Sequence, residues 1–210
     1  MPDRSDPPLQ DPWTTRDSNR ILFTILSTNT PNKPALPTEL ILQILSHPSR
    51  WLLTTSVYLS TPARVSSSES ERAIVHTPPI SKHQLPLIRR VVFTYSSKDQ
   101  GWSSYSSDHG TYRNSWTWFE AGLRKHAEEE KEKVSLTDQM QHRHRLHCNR
   151  HAGWETEDYQ FVVEGDHPLL KNMQAGDEVV LWAMAKFGGW ENFVQGAAIQ
   201  IWTMDDLSDV

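Results

Sequence analysis

Residues Ile88 to Ser96 read IRRVVFTYS, which puts Val91, Phe93 and Tyr95 on one side of an extended chain and Arg90, Val92 and Thr94 on the other. Alternation of this kind is the period of a strand that lays one face on a core, and a helix would scatter the same residues around its axis. Similar short segments recur. Trp51 to Leu59, Thr111 to Glu120, Asp158 to Glu164, Glu178 to Lys186 and Asn192 to Thr203 are rich in β-branched and aromatic residues, and Gly165, Gly176 and Gly188-Gly189 separate the last of them. Short strands following one another without interleaved helices predict a mainly β protein, a jelly-roll-like β-sandwich, and not a βαβ arrangement. Nine tryptophans predict an aromatic interior; Trp116 and Trp118, two apart on one strand, face the same way and form either an exposed stacking platform or the middle of the sandwich, with the middle expected. Trp182, Trp190 and Trp202 fit either that interior or an exposed platform. Val65 to Arg72 has no apolar face and reads as a solvated loop.

The clearest helix is Leu36 to His47, LPTELILQILSH, with Leu40, Ile41, Ile44 and Leu45 at helical spacing, Thr38 as N-cap and Pro48 as the stop. Residues 1–20 carry Pro2, Pro7, Pro8 and Pro12 among polar residues and are expected to form a disordered leader. Ile21 to Leu26 is too short for its period to decide between helix and strand. Ala121 to Val134 supports Glu/Lys pairs four apart but has an apolar stripe of only Leu123, Ala127 and Val134, so residues 121–145 are expected to be a solvated, charged insertion. The predicted organisation is therefore a leader over 1–20, a helical segment over 36–48, and a sandwich domain over 51–204 that contains the insertion. Asp205 to Val210 reads as a frayed acidic tail.

A chain of 210 residues suits one domain, or a short module and one domain. Its 21 basic and 26 acidic residues give a net charge of -5, which supplies no general attraction for phosphates and argues against nucleic acid as a partner. The longest apolar run, Val179 to Ala185, is far shorter than the ~20 residues of a membrane-spanning helix, so no membrane segment is expected. A lone cysteine, Cys148, and no basic-then-apolar start point to a reducing address, cytoplasmic or nuclear.

No nucleophile elbow, metalloprotease helix, phosphate-binding loop or dinucleotide turn occurs, so neither catalysis nor a cofactor is expected. Asp99, Gln100 and Trp102, followed by Asp108, His109 and Tyr112, place ring faces beside directional hydrogen-bonding groups, the combination that a sugar or peptide pocket uses. The same residues also suit tight turns at Gly101 and Gly110, with the carboxylates tying backbone amides and Trp102 closing one end of the core. The Gly188-Gly189-Trp190-Glu191-Asn192 turn offers a second rim, through Trp190 and Asn192. His142, His144, His147 and His151 gather around Cys148, and the spacing of four between His144 and Cys148 and between His147 and His151 would let each pair hold Zn²⁺ on a helix but not on a strand. That cluster is the basis of a metal-dependent enzyme as an alternative reading.

Leu36, Pro37, Leu40, Ile41, Ile44 and Leu45 resemble the opening helix of an F-box, whose matching residues dock on the Skp1 adaptor of cullin–RING ubiquitin ligases. The likeness stops at Leu45, because Pro48, Ser49, Arg50 and Trp51 follow where that family has further helices. The later segments VVFTYSSKDQGWSS, HGTYRNSWTWFE and AGDEVVLWAMAKFGGWENFVQGAAIQIW resemble an uncharacterised fungal domain family over residues 74–203, which implies one homologous unit but no activity. Its strand pattern is similar, at the level of fold, to the jelly rolls that follow F-boxes in glycan-binding substrate receptors. The function expected is non-catalytic recognition: an F-box-like protein that holds a protein partner, or a lectin-like module that holds a glycan.

Overall fold

A computed structural model describes residues 12–31, 34–45, 47, 51–124 and 143–205, with side chains from residue 20 onward. Two helices come first, α1 (Pro12–Ser27) and α2 (Thr38–Leu45). Among the described residues nine strands follow: β1 (Leu52–Tyr58), β2 (Ala63–Ser66), β3 (Glu71–His76), β4 (Ile88–Lys98), β5 (Thr117–Arg124), β6 (His144–Cys148), β7 (Glu157–Glu164), β8 (Glu178–Ala185) and β9 (Glu191–Thr203). A short helix α3 (Pro168–Lys171) joins β7 to β8. All pairings are antiparallel. One sheet has the order β1-β9-β4-β7, with β2 following β1 along the same edge of β9; the other has the order β3-β8-β5-β6. The two pack face to face as a β-sandwich.

Register decides what lies between the sheets. Val91, Phe93 and Tyr95 of β4 face inward, as their alternation predicts, and meet Phe119, Ala121 and Leu123 of β5 and Val179, Leu181, Ala183 and Ala185 of β8. Tyr95 stacks on Phe119 with ring centroids 4.0 Å apart, joining the sheets directly. The expected tryptophan interior is not what forms. Among the described side chains, no tryptophan belongs to this inter-sheet core. Because successive strand residues face opposite ways, the phase that turns Phe119 and Leu181 inward turns Trp118, Val180, Trp182 and Met184 outward, where they make a separate apolar cluster. Arg143 lies over the Trp182 ring at 4.1 Å, and Arg145 and Lys186 lie over Trp118 at 4.6 and 5.6 Å. Cationic heads over ring faces keep this outer cluster largely dry.

Several boundaries differ from expectation. Residues 12–20 of the expected leader are helical, as part of α1, and Ile21 to Leu26 belong to the same helix; residues 1–11 lie outside the described residues. Val65 to Arg72 is not a solvated loop: Val65 is fully buried in β2, and β3 begins at Glu71. Of the residues expected in the charged insertion, Ala121 and Leu123 are core residues of β5 and His144 opens β6, while residues 125–142 lie outside the described residues. Thr111 to Asn114 is turn and bend, and β5 starts at Thr117. In α2 the amide of Ile41 bonds to the carbonyl of Pro37 at 3.2 Å, which makes Pro37 the cap and Thr38 the first helical residue. Helix α2 lies against α1, and α1 reaches β1. No helix among the described residues is long and apolar enough to cross a membrane.

Candidate functional site

The connections β4–β5, β6–β7 and β8–β9 all leave the sandwich at one end, because β4 ends where β9 and β7 begin and β5 begins where β8 ends. Buried hydrogen bonds hold these loops together. Asp99, 1% exposed, accepts from the amides of Gly101 at 2.8 Å and Ala152 at 2.7 Å. Burial pushes the Asp99 carboxyl above the usual carboxylate range, and the amides of Gly101, Ala152 and Gly153 and the neighbouring His151 offset only part of that. His151 is fully buried. Its Nδ1 lies 2.9 Å from the carbonyl of Arg113, which can only accept, so Nδ1 donates there, and Nε2 has no hydrogen-bond partner. The ring meets Trp190 edge to face, with centroids 5.0 Å apart. Beneath them, Asn149 donates to Thr117 and to Asn192, both at 3.0 Å, and accepts from Ser97 at 2.7 Å. Asn192 donates in turn to the carbonyls of Trp118 and Met184, each at 3.2 Å. This satisfied network fixes β4, β5, β8 and β9 against one another.

On that floor sits a pocket of about 410 Å³ lined by Trp102, Tyr105, Trp116, Phe187 and Trp190, with Gln100, Ser103, Ser104, Gly188 and Gly189 completing the wall. The volume is at the small end of the ~300–1,000 Å³ typical of ligand pockets. Three of its rings stand largely in solvent: Trp102 is 59%, Tyr105 65% and Phe187 60% exposed. Phe187 has φ +64°, the left-handed region that a bulky residue occupies at a cost of roughly 1–3 kcal/mol. Its ring meets Trp116 edge to face at 4.5 Å. Gly189 takes φ +88°, the left-handed region that favours glycine, and a Cβ there would meet the Trp102 ring at 3.6 Å, an ordinary van der Waals contact. Gln100 is committed within the wall, donating to the carbonyl of Trp102 at 2.7 Å and accepting from the amide of Glu191 at 3.2 Å.

Of the residues expected at a ligand site, the structure brings Gln100, Trp102 and Trp190 to this pocket. Asp99 and Asn192 lie beneath it, with their polar atoms turned to backbone and to Asn149. Asp108 takes the Asn114 amide at 2.7 Å and pairs with Arg113, and His109 faces the carbonyl of Ser103 at 2.9 Å. Tyr112 stands apart from the pocket. Its hydroxyl donates to Glu157, which also takes Tyr159 and Arg150. Tyr105, Trp116 and Phe187 were not expected at a site. The size of Trp116 points to the interior ahead of an exposed platform, and Tyr105 is hidden in a serine-rich stretch. A bulky residue directly before Gly188-Gly189 is the signal that points to Phe187.

The metal reading does not gain a site. His144 lies against His167 at 4.9 Å, His147 against Tyr159 at 5.4 Å, and Cys148 bonds to the carbonyl of Tyr112 at 3.5 Å, while His151 is buried under the loops. No three His, Cys, Asp or Glu among the described residues converge on a point that could hold a metal ion. A register shift in β6 pairs His144 with inward-facing Ala121 and Cys148 with outward-facing Trp118, so the two do not share a face. His142 lies outside the described residues.

The six F-box-like positions also divide. Ile41 and Leu45 are buried within the protein, while Leu40, at 45% exposure, and Ile44, at 41%, face outward. Leu36 is half-buried and Pro37 exposed. No family model matches this chain, and no curated protein matches it.

Proposed function

We propose that the protein is a non-catalytic recognition module, a jelly-roll-like sandwich whose loop end holds an apolar or weakly hydrated group of its ligand in the Trp102–Tyr105–Trp116–Phe187–Trp190 pocket. The observation that carries this is the convergence of five aromatic side chains on one pocket, three of them left in water and one held in a strained backbone conformation. The exposure of the three rings is not repaid by packing in the protein alone, and it is tolerated where a ligand completes the contact. A non-catalytic role is supported by the engagement of Asp99, Asp108 and His151 with backbone and neighbouring side chains, and by a wall without an ionisable acid or base apart from the Tyr105 phenol. A glycan remains the alternative ligand, but the directional groups it would need, Asp99 and Asn192, are turned away from the rings. The pocket therefore favours recognition through ring faces.

Helix α2 adds a second contact in this reading. The outward pair Leu40 and Ile44, one turn apart, is the part of the F-box resemblance still available to a protein partner, an adaptor such as Skp1 among them. The single cysteine is in keeping with a cytoplasmic or nuclear location. The test is intrinsic tryptophan fluorescence titrated with neutral monosaccharides, amidated amino acids and quaternary ammonium salts. At least one class shifts the emission saturably, and Trp102→Ala abolishes the shift. No response to any class, or a response that Trp102→Ala leaves intact, overturns the proposal.

A further inference from the structure

We infer that the loop-end pocket selects a quaternary ammonium group; this rests on the reading of the pocket as a ligand site and names what it takes. Six arginine or lysine heads lie over aromatic rings among the described residues, on Phe193, Trp51, Trp182, Tyr112 and twice on Trp118. None lies over Trp102, Tyr105, Trp116, Phe187 or Trp190. Several rings outside the pocket thus carry an internal cation, although the exposed Trp154 and Tyr58 do not, and the five pocket rings are left without one. Lys186, next to Phe187 in the chain, directs its ammonium to Trp118 on the outer face of the second sheet, and Arg64, paired with Glu191, lies over Phe193.

The polar wall decides which cation fits. A primary ammonium entering the pocket gives up hydration of its N–H groups and needs acceptors in return. Gln100 Oε1 is engaged by the Glu191 amide, Ser103 Oγ accepts the Tyr105 amide, and the Ser103 carbonyl faces His109, which leaves the Ser104 and Tyr105 hydroxyls as side-chain acceptors, fewer than the three N–H groups of a primary ammonium call for. A quaternary ammonium has no N–H group to satisfy, spreads its charge over methyl groups and is attracted by ring quadrupoles. A neutral ligand of the same shape gains the same burial but not that attraction. The chain's net charge of -5 further favours a cation at long range.

The experiment compares choline, an Nε-trimethyllysine peptide, the unmethylated peptide and 3,3-dimethylbutanol, the uncharged analogue of choline, by titration calorimetry on the full chain. Choline or the trimethyllysine peptide binds at least ten-fold more tightly than its uncharged or unmethylated counterpart, and both Trp102→Ala and Phe187→Gly reduce that binding at least ten-fold with unchanged circular dichroism. The tighter of the two cationic probes names the source, a small-molecule headgroup or a modified polypeptide. Equal binding of choline and 3,3-dimethylbutanol overturns the cation preference and leaves the pocket a ligand site. Silence of all four probes overturns the preference too, and the panel of sugars and amidated amino acids then decides whether the pocket binds anything.

Discussion

Asp99 and Ala152 lie 53 positions apart in the chain, yet the Asp99 carboxylate accepts the Ala152 amide at 2.7 Å and so joins the β4–β5 loop to the β6–β7 loop beneath the pocket. Its other oxygen takes Gly101. Asp99→Ala leaves two buried amides without acceptors, each at about 1–3 kcal/mol, so urea unfolding of this variant gives a loss of at least ~2 kcal/mol. The same variant loses pocket binding, because Trp102 follows directly from the loop that Asp99 anchors.

Asp99 also gives stability a particular pH dependence. Its carboxyl titrates higher in the folded protein than in the unfolded chain, so the folded state binds the proton more readily, and this residue's contribution falls as pH rises through the carboxylate range. Asp99→Asn removes that term at the loss of one hydrogen bond. The stability advantage of the parent over Asp99→Asn, measured by urea midpoints between pH 3 and pH 7, shrinks as pH rises.

Phe187 separates folding from binding. Glycine relieves the left-handed strain but gives up the edge contact with Trp116, worth about 0.5–1.5 kcal/mol. The two offset one another. Phe187→Gly therefore changes thermal stability by no more than ~1 kcal/mol while weakening ligand binding. A large loss of stability would show Phe187 to be a packing residue.

Tyr95 and Tyr159 are pushed above the ordinary phenol range, mainly by burial; Tyr159 also donates to Glu157 at 2.7 Å, which holds its proton further. The unfolded chain ionises first as pH rises past ~10, and stability falls from there upward. In an ultraviolet titration these two of the five tyrosines ionise only as the protein unfolds. Tyr95→Phe and Tyr159→Phe each flatten the alkaline loss.

The two faces of α2 respond differently. Ile41 is fully buried, and Ile41→Ala costs about 2–5 kcal/mol. Leu40→Asp with Ile44→Asp leaves the melting temperature within a few degrees of the parent and removes captured protein partners in affinity purification. Equal recovery of partners with the double variant would contradict a docking role for that edge.

The strand pattern was legible wherever one face is buried and the other wet. IRRVVFTYS announced β4 because its alternation survives the inclusion of Val92, and the glycine turns marked β7, β8 and β9. The interior was less so. In β5 and β8 both faces are apolar, so VVLWAMA and TWFEAGL do not reveal their phase, and tryptophan size suggested the core where the pleat placed alanine and leucine. Val65 and Ala121 were missed because one apolar residue among polar neighbours carries no periodic signal. At the site, Trp102, Gln100 and Trp190 stood out by type and by nearby glycines. Asp99 and Asn192 stood out equally, yet side chains that tie backbone and those that meet a ligand are the same in sequence, and only burial distinguishes them.

The central claim is that a ligand enters the loop-end pocket and not the outer aromatic cluster. Fluorine NMR of protein labelled with 5-fluorotryptophan tests it residue by residue, with signals assigned by single Trp→Phe variants and the protein titrated with monosaccharides, amidated amino acids and choline in turn. The account predicts that at least one probe moves the Trp102, Trp116 and Trp190 signals together and leaves Trp118 and Trp182 in place. Shifts confined to Trp118 and Trp182, or no shift with any probe, would contradict it.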